Sequence, residues 1–309
     1  MSPTGPVLVV GDVVTDVVAL LSVPLAEGSD AAARIEVTGG GSAANTAAWL
    51  ARAGTDVSLV CSVGADRAGD AVLDELAGYG VRCLATRQRH APTGTVIVLA
   101  GDGERSMVTD RGANLLLSAD DVAGAATAAR PAHLHLSGYP LLDPASRPAG
   151  LRALDVAPRL GATTSVDAAS AAPLRRLGGA VFLSWVAGVD LLLANLDEAR
   201  ALLGVDPGEP AALAAALARR VRRAVVKCGA GGAVWAEAGH DPVSVPGHDV
   251  DVVDVTGAGD AFAAGLLAAW LGGAGPREAL LAGTRYGALA VTVAGARPPS
   301  PSPDPGQAS

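Results

Sequence analysis

The chain has 309 residues and a formal net charge of −8, and half of its residues are hydrophobic. This composition allows a large buried core, while the negative charge and the absence of Lys/Arg blocks exclude nucleic acids and acidic membrane surfaces as partners. No uninterrupted apolar run is long enough to span a bilayer, and three widely spaced cysteines form neither a zinc pattern nor a disulfide framework, so we expect a cytoplasmic protein.

The first predicted element is a short buried strand, Val7 to Val10, followed by two aspartates. In open α/β sheets, ligands bind outside the carboxyl ends of the strands, so Asp12 and Asp16 are placed to meet a ligand. The alternative is that both are solvated acids of a loop or a strand edge. Between Val17 and Val37 the pattern changes to short β-like pieces without a long helix, which indicates an insertion outside the main sheet.

A run of three glycines precedes the first predicted helix, in the segment Thr38 to Gly54, TGGGSAANTAAWLARAG. Asn45 is the only large polar side chain near the start of this helix. Its amide carries both a donor and an acceptor, so it can bind a diol while the glycines let a sugar ring approach the backbone. Alternatively, the glycines form a plain loop.

The segment Pro92 to Asn114 alternates well enough to predict a β-hairpin with its turn at 101–103, GDG. Together with the earlier insertion, the part of this hairpin at 93–110 can form a small sheet over the site. Such a lid would exclude water from a phosphoryl-transfer reaction. Arg111 and Asn114 at its end are then placed to approach a substrate. The alternative is a surface hairpin with a solvated arginine.

Strands and helices alternate from residue 132 onward. We expect strands at His133 to Leu136, Thr163 to Asp167 and Asp190 to Ala194, with a helix near Leu151 to Ala157 after the first of them. Such alternation predicts βαβ units and a parallel, doubly wound sheet. The two histidines of the first strand have no carboxylate or thiol nearby in the sequence, so we interpret them as structural.

Two later motifs are candidates for the nucleotide side of a kinase site. In NLDE, Asn195 and Glu198 share the first turn of a helix, where they can hold a hydrated Mg²⁺ against phosphates. The same spacing is also an ordinary helix N-cap box. The segment Ala224 to Trp235 predicts a strand, a glycine turn and a strand. In a kinase, Lys227 and the backbone of Cys228 to Gly232 would lie beside the nucleotide; otherwise the segment is a glycine hairpin.

The most informative stretch is Asp251 to Trp270, DVVDVTGAGDAFAAGLLAAW. Gly257 and Gly259, on either side of Ala258, let backbone N–H groups turn toward a ligand, and the following helix adds the positive end of its dipole. Together they predict an anion cradle, with phosphate as the expected guest. Asp260 faces this cradle, where a carboxylate can take the proton of an attacking hydroxyl. The alternative is a glycine turn capped by an aspartate at a helix start.

The end of the chain has a different composition from the rest. Glu278 to Val293 predicts a second alanine-rich helix, closed by Gly295. The proline- and serine-rich segment 298–309 has no apolar periodicity, so we expect a disordered tail there.

Four motifs occur in a fixed order: GGGSAAN at Gly39 to Asn45, NLDE at Asn195 to Glu198, KCGAGG at Lys227 to Gly232, and DVTGAGD at Asp254 to Asp260. Together they resemble the ribokinase (PfkB) family of carbohydrate kinases, and the resemblance extends over nearly the whole chain. It implies an α/β fold, a three-layer α/β/α ribokinase-like sandwich with a mostly parallel central sheet and a small β lid. We expect this to be a single domain at 1–297.

The resemblance also implies roles for individual residues. Asp260 would be the base that deprotonates the substrate hydroxyl, and Gly257, Ala258 and Gly259 would form the anion hole. The remaining candidate positions are Asp16, Gly40, Gly41, Asn45 and Arg111 for the substrate, Asn195, Lys227, Gly229, Gly232, Thr256 and Thr284 for ATP, Glu198 with Asn195 for Mg²⁺, and Asp254 for a monovalent cation such as K⁺.

Departures from the family pattern limit the substrate assignment. Ribokinases usually carry lysine at the position of Ser42 and often asparagine at that of Thr284. The GGSAANT and PTGT pieces also resemble those of adenosine kinases. Phosphosugar kinases need extra basic residues around a second phosphate, and near Asn45 we find only Arg34 and Arg111.

These observations lead to one functional prediction and two alternatives. We predict an ATP-dependent kinase that transfers the γ-phosphoryl group to a primary hydroxyl of a small sugar or sugar-like compound, with Asp260 as general base. One alternative is a nucleoside kinase of the adenosine type from the same family. The other is a protein that binds a sugar or a nucleotide without catalysis. A homodimer formed through the lid is a further prediction.

Overall fold

A computed structural model of the chain describes residues 5–23, 25, 28–101 and 104–299. The strands in this part are β1 (Val7–Val10), β2 (Val14–Leu21), β3 (Ala33–Gly40), β4 (Val57–Gly64), β5 (Arg82–Gln88), β6 (Gly94–Gly101), β7 (Glu104–Asp110), β8 (His133–Ser137), β9 (Thr163–Asp167), β10 (Leu191–Asn195), β11 (Arg223–Lys227), β12 (Ala233–Glu237) and β13 (Val243–Val245). The α-helices are α1 (Ser42–Arg52), α2 (Arg67–Gly78), α3 (Ala119–Ala129), α4 (Tyr139–Leu142), α5 (Arg147–Arg159), α6 (Ala171–Leu177), α7 (Gly179–Trp185), α8 (Leu196–Leu203), α9 (Pro210–Ala218), α10 (Ala258–Leu271) and α11 (Pro276–Val291), and short 3₁₀ helices lie at Gly112–Leu116 and Gly229–Gly231.

The large sheet of the described part contains nine strands in the order β13-β12-β11-β10-β9-β8-β1-β4-β5. Its neighbours run parallel except that β12 is antiparallel to both β11 and β13. The apolar strand β1 lies inside the sheet and is fully buried, because side chains cover both of its faces. Leu8 and Val10 pack into one hydrophobic core, and Val7 and Val9 pack into the other.

The two cores contain different helices. One core includes residues of α3, α5, α8 and α9, and the other includes residues of α1, α2, α10 and α11. Small side chains let these helices approach closely: a Cβ at Gly265 of α10 would lie 2.7 Å from the ring of Tyr286 in α11. The three-layer α/β/α arrangement expected from the sequence is therefore confirmed.

A smaller sheet of four strands, in the order β3-β2-β6-β7, accounts for the insertion and the hairpin that the sequence indicated. Strands β6 and β7 form the predicted antiparallel hairpin, although Asp102 and Gly103 of its turn lie outside the described residues. Because side chains alternate between the faces of a strand, Asp16 and Val18 of β2 point to one face and Val17 points to the other. Asp16 is thus a buried residue of an inner strand of the small sheet, so the alternative of a solvated acid in a loop or at a strand edge is wrong for it.

The C-terminal part differs in two details from the sequence-based prediction. Helix α11 ends at Val291, two residues earlier than expected, with Thr292 as its C-cap. Pro298, the first residue of the expected tail, is buried, and its carbonyl accepts a hydrogen bond from the Tyr79 hydroxyl. Residues 300–309 lie outside the described residues. In the described part, no helix combines the length and apolar character needed to cross a membrane.

The two histidines of β8 have a structural role, as expected. The Ser165 hydroxyl lies 2.8 Å from both His133 Nε2 and His135 Nδ1. The second ring nitrogen of His133, Nδ1, contacts the Thr163 hydroxyl at 2.8 Å. Burial lowers the pKa of His133 to about 3 and that of His135 to about 4, so both rings are neutral near pH 7.

Candidate active site

The Asp260 carboxylate lies in the first turn of α10 and is held by two side chains of α1. Ser42 Oγ donates to Asp260 Oδ1 at 2.8 Å, and Asn45 Nδ2 donates to Asp260 Oδ2 at 2.8 Å. Residues three apart in a helix lie on the same face, which is why one turn of α1 can supply both donors. This contact brings together the two motifs that the sequence placed at opposite ends of the chain.

Helix α10 begins in a backbone conformation that requires glycine. Gly257 is its N-cap, with φ of 74°, and an added Cβ would lie 2.7 Å from Ala296. The first N–H groups of a helix have no acceptor within the helix, so Gly259 and Asp260 bring amide donors and the positive end of the dipole to this point. The Ala258 N–H makes a longer hydrogen bond, 3.3 Å, to the Val255 carbonyl. The predicted anion cradle is thus present as geometry beside the Asp260 carboxylate.

The environment of Asp260 makes its protonation sensitive near neutral pH. Burial raises the pKa of its carboxyl to about 7, while the hydrogen bonds from Asn45 and Ser42 and the charge of Lys227 act in the opposite direction. The nearby charge of Asp167 raises it further. A carboxylate with a pKa near the working pH is well suited to accept a proton and release it again.

Three adjacent strands of the large sheet bring polar or charged side chains to their carboxyl ends. Asp167 ends β9, Asn195 ends β10 and Lys227 ends β11. Lys227 Nζ donates to Asp167 Oδ2 at 2.6 Å, and an added Cβ at Gly259 would lie 3.3 Å from the same Nζ. The ammonium group therefore lies between Asp167 and the start of α10.

Asn195 and Glu198 form the helix N-cap box that was one of the two interpretations of NLDE. Asn195 Oδ1 accepts from the Glu198 N–H, and the Glu198 carboxylate accepts from both the backbone N–H and the side-chain amide of Asn195. Burial raises the pKa of Glu198 to about 7, against the opposing charge of Lys227. A Mg²⁺ role is compatible with this box, because a carboxylate with two accepted hydrogen bonds still has lone pairs for water ligands.

Asp16 and Gly41 line the opposite wall of the site, and Gly40 packs directly against Asp16. A Cβ at Gly40 would lie 2.2 Å from the Asp16 carboxylate, and a Cβ at Gly41, where φ is 96°, would lie 2.5 Å from the Asp12 carbonyl. These glycines are therefore required for close packing against the aspartates. Burial raises the pKa of Asp16 to about 6, while the charge of Arg297 lowers it.

A cavity of about 750 Å³ joins these groups. The predicted site residues that line it are Asp16, Gly41, Asn45, Arg111, Asn195, Glu198, Lys227, Gly229, Gly232, Thr256, Gly257, Ala258, Gly259, Asp260 and Thr284. Gly40 and Asp254 are not among its lining residues. Gly40 is buried beside Asp16, and Asp254 accepts hydrogen bonds from Thr256 and from the Gly295 N–H at 3.0 Å.

The two residues expected at the end of the hairpin have different positions. The Arg111 guanidinium stacks over the Tyr139 ring, 4.9 Å from its centroid, at the wall of the cavity. The Asn114 side chain instead bonds to backbone groups of Val13 and Arg111 and is buried. Asn114 therefore holds the chain together, and the expectation that it approaches a substrate is wrong.

Sequence reasoning missed three residues with contacts to the predicted site. Ser42 entered only as a departure from a family pattern, although its spacing from Asn45 places both on one helix face. Tyr139 lines the cavity, and no local pattern marks it. Arg297 is buried, donates to the Gly40 carbonyl at 3.2 Å and lies 3.3 Å from Glu75, a contact between residues more than 200 positions apart.

Solved structures with the same fold define the class of protein. A probable sugar kinase from Rhizobium etli aligns with a TM-score of 0.85 at 26% identity, covering 97% of this chain and 97% of that one. An adenosine kinase from Sinorhizobium meliloti aligns with a TM-score of 0.83 at 25% identity, covering 95% and 96%. The chain therefore has the ribokinase-like α/β fold.

The sequence comparisons identify the family. The model of the pfkB family carbohydrate kinases matches residues 6–303. An ATP-dependent ribose-1-phosphate kinase from Halopiger xanaduensis is 33% identical over 280 residues, covering 89% of this chain and 87% of that protein. The chain belongs to the pfkB family of carbohydrate kinases and is an ATP-dependent phosphotransferase. The resemblance noted from four motifs is thereby confirmed.

Proposed function

We propose that the protein transfers the γ-phosphoryl group of ATP to a primary hydroxyl of a small sugar or sugar-like compound, with Asp260 as the general base. The observation that carries this proposal is the Asp260 carboxylate, held by Ser42 and Asn45 in a cavity beside the glycine start of α10. A pKa of about 7 lets this group accept the hydroxyl proton at neutral pH.

Each group around Asp260 has a role in the proposed transfer. As the substrate oxygen attacks phosphorus, its proton passes to the Asp260 carboxylate, and the ADP oxygen leaves on the opposite side. The amides of Gly257, Ala258 and Gly259 stabilise the charge on the phosphoryl oxygens. Lys227 adds a positive charge on the same side, because its ammonium lies next to Gly259.

The part of the cavity away from the small sheet suits ATP and Mg²⁺. Gly229, Ala230 and Gly232 of the β11–β12 turn line this part of the cavity, so mainly backbone faces it. Gly232 has φ of 90°, and a Cβ there would lie 2.0 Å from the Val245 carbonyl oxygen, so this turn requires glycine. Thr284 and Gly229 lie on the same wall. When bound, Mg²⁺ neutralises charge on the phosphate oxygens. We propose that Glu198, oriented by Asn195, contacts it through water.

We keep the proposal of a monovalent cation near Asp254. Its carboxylate fixes the loop before α10 through Thr256 and Gly295, so a cation there would act on the position of the anion cradle. Turnover in potassium buffer compared with tetramethylammonium buffer is the test. Equal rates in the two buffers would argue against a cation requirement.

The domain and location remain proposals as well. We propose that residues 1–297 act as one domain in the cytoplasm. The free thiols of Cys61, Cys83 and Cys228 are compatible with a reducing compartment.

A nucleoside kinase is the second candidate, and one feature favours it. Val96, Val98 and Met107 of the small sheet form an apolar wall of the cavity, which a nucleobase could contact. The fold neighbour from Sinorhizobium meliloti is named an adenosine kinase, and the sequence relative from Halopiger xanaduensis is named for a sugar phosphate. We place the sugar first because Val96, Val98 and Met107 offer no ring to stack on a base, and the Tyr139 ring of the cavity is already covered by the Arg111 guanidinium.

The deciding experiment is a screen of phosphoryl acceptors. Purified protein with ATP and Mg²⁺ is offered pentoses, hexoses, sugar acids, sugar phosphates, polyols and nucleosides, and ADP release is followed. Mass spectrometry and NMR then locate the phosphate on the product. We expect acceptor-dependent turnover on a sugar-type compound, and none with Asp260→Asn. The proposal fails if no acceptor stimulates ADP release, or if the nucleosides alone do.

A further inference from the structure

The substrate side of the cavity contains a cation that no described carboxylate pairs with. The cavity is lined by two cationic side chains, Arg111 and Lys227. Lys227 is matched by Asp167, with 2.6 Å between Nζ and Oδ2. For Arg111, the described part of the chain offers no ion pair, and its Nε is buried without a hydrogen-bond partner.

Most of the carboxylates that share the cavity are engaged by other groups. Asp260 accepts from Ser42 and Asn45, and Asp12 accepts from the Ser42 N–H at 3.1 Å and the Ser137 hydroxyl at 3.1 Å. Glu198 accepts from its own helix cap. Asp16 and Asp249 also line the cavity, but neither forms an ion pair with Arg111 in the described part of the chain, and the positive charge that acts on Asp16 is that of Arg297. The Arg111 guanidinium is therefore not neutralised by the acids around it, and its N–H donors remain available to a ligand.

Tyr139 fixes the orientation of this guanidinium. The guanidinium carbon of Arg111 lies over the aromatic ring, 4.9 Å from the centroid, and this cation–π contact uses none of the N–H donors in a hydrogen bond. A planar guanidinium presents donors in a fork that matches two oxygens of a carboxylate or a phosphate. A sugar hydroxyl offers only one oxygen and no charge at this position.

A comparison with Arg34, an arginine of strand β3 in the small sheet, supports a functional role for Arg111. Arg34 forms an ion pair with Glu36 at 2.6 Å, and its side chain is 77% exposed. It does not line the cavity. Arg111 differs in all three respects, since it is unpaired within the described residues, held by stacking and directed along the cavity wall.

We propose that Arg111 binds an anionic group of the sugar substrate, a carboxylate or a phosphate, on a part of the molecule other than the hydroxyl that is phosphorylated. This inference rests on the proposed kinase function and assigns its substrate class: an acidic sugar derivative. The edge of the guanidinium recognises the two oxygens, while Asp260 accepts the proton of the attacked hydroxyl. A neutral sugar would leave the Arg111 donors unpaired, and this is the source of the discrimination.

The test uses matched pairs of acceptors that differ only in the acidic group. Ribose is compared with ribose 1-phosphate for the phosphate arm, and sorbitol with gluconate, which are both open-chain, for the carboxylate arm. For one of the two pairs we expect kcat/KM to be at least about 100-fold higher with the acidic member. Arg111→Gln should remove most of this preference, because kcat/KM should fall at least about 10-fold more for the acidic member than for the neutral one.

Two control variants identify the interaction as specific. Arg111→Lys keeps the charge without the two-pronged geometry and should retain only part of the preference. Arg34→Gln removes an arginine of strand β3 that lies outside the cavity and should leave the preference unchanged. Wild-type preference for the neutral members of both pairs would overturn the proposal. So would an equal loss on acidic and neutral members in Arg111→Gln, because that would indicate a role in folding.

Binding measurements separate this inference from the proposed reaction. Isothermal titration of the same four compounds into the wild-type protein and Arg111→Gln reports affinity without turnover. Tighter binding of an acidic member that disappears in Arg111→Gln supports the anion contact even if no phosphate is transferred, in which case the kinase proposal alone fails. Equal affinities for both members of both pairs overturn the anion contact.

Discussion

The hydroxyl of Ser42 donates to Oδ1 of Asp260 across 2.8 Å and so links the first residue of α1 to the first turn of α10. The same serine is fixed from its other side, because its backbone N–H donates to Asp12 Oδ2 at 3.1 Å. Asp12 in turn follows β1 at the centre of the sheet. Hydrogen bonds between Asp12 and Ser42 and between Ser42 and Asp260 therefore connect the proposed base to the core of the fold and fix its orientation.

Ser42→Ala tests this orientation. Loss of the hydroxyl removes one of the hydrogen bonds that lower the pKa of Asp260, so that pKa should rise. Because the base must be ionised to act, the acidic limb of kcat/KM should move to higher pH, and kcat at pH 7 should fall about 10-fold. Ser42→Thr keeps a hydroxyl and is the matched control. An unchanged pH profile in Ser42→Ala would show that the serine does not act on the base.

Asp260→Asn should separate activity from stability. Turnover should fall by about 10³-fold or more, since the amide cannot take a proton, while ATP still binds. The pKa of Asp260 is raised in the folded protein, so this carboxyl favours folding below its unfolded pKa and opposes it as pH rises through about 7. The variant should therefore melt a few degrees higher than wild type at pH 8, and the gain should vanish near pH 4. Differential scanning calorimetry at both pH values gives the comparison.

The sequence predicted the parts of the site that depend on local backbone chemistry. Gly257 and Gly232 adopt positive φ, as expected of glycines in turns. An apolar run that ends in a charged residue indicated the ends of β9 and β11, which carry Asp167 and Lys227. Asn195 and Glu198 form the box that their spacing indicates. These signals are contained within a few residues, so they can be recognised without knowing the fold.

The remaining contacts depend on long-range packing. Arg297 and Gly40 are separated by 257 positions, and nothing near either residue predicts that one donates to the other. The same holds for Tyr139, whose ring meets Arg111 only after α4 and the end of β7 are placed. Asn114 was misassigned because an amide beside a predicted lid has the composition of a binding residue, although its partners are backbone groups.

Arg297→Met should weaken both the fold and substrate binding. The buried guanidinium joins the C-terminal segment to the Gly40 carbonyl and to Glu75. Removing one partner of such a contact should lower the free energy of unfolding by about 3 kcal/mol, and KM for the sugar should rise because Gly40 packs against Asp16. Urea unfolding and sugar kinetics give the two readouts. Glu75→Gln keeps the arginine and should have the smaller effect on KM; an equal rise would contradict the direct role of Arg297.

The prediction of a homodimer through the small sheet also has a structural basis. Val37, Val17, Ile97 and Val108 lie side by side across its four strands, and three of them are 42% to 65% exposed. A row of exposed apolar side chains of this kind suits contact with a second copy. Light scattering after size exclusion should give twice the chain mass for the wild type and the monomer mass for Val37→Glu. A monomeric wild type at micromolar concentration would contradict the prediction.

Lys227 should control the pH dependence of the reaction. Its ammonium contacts Asp167, and its charge lowers the pKa of both Asp260 and Glu198. In Lys227→Met these pKa values should rise, so the acidic limb of kcat/KM, expected near pH 7 in the wild type, should move to higher pH by up to about one unit. The rate on the plateau should also fall, because a positive charge beside Gly259 is lost.

Lys227→Arg and Asp167→Asn distinguish the charge from the contact. Lys227→Arg restores a cation and should return the limb toward its wild-type position, even if the plateau stays low. Asp167→Asn removes a negative charge that raises the pKa of Asp260, so its limb should move to lower pH, opposite to that of Lys227→Met. Opposite shifts of the acidic limb in Lys227→Met and Asp167→Asn would mean that this limb reports the ionisation of a carboxylate that is close to both Lys227 and Asp167. Shifts in the same direction would assign the limb to another group and remove Asp260 as the proposed base.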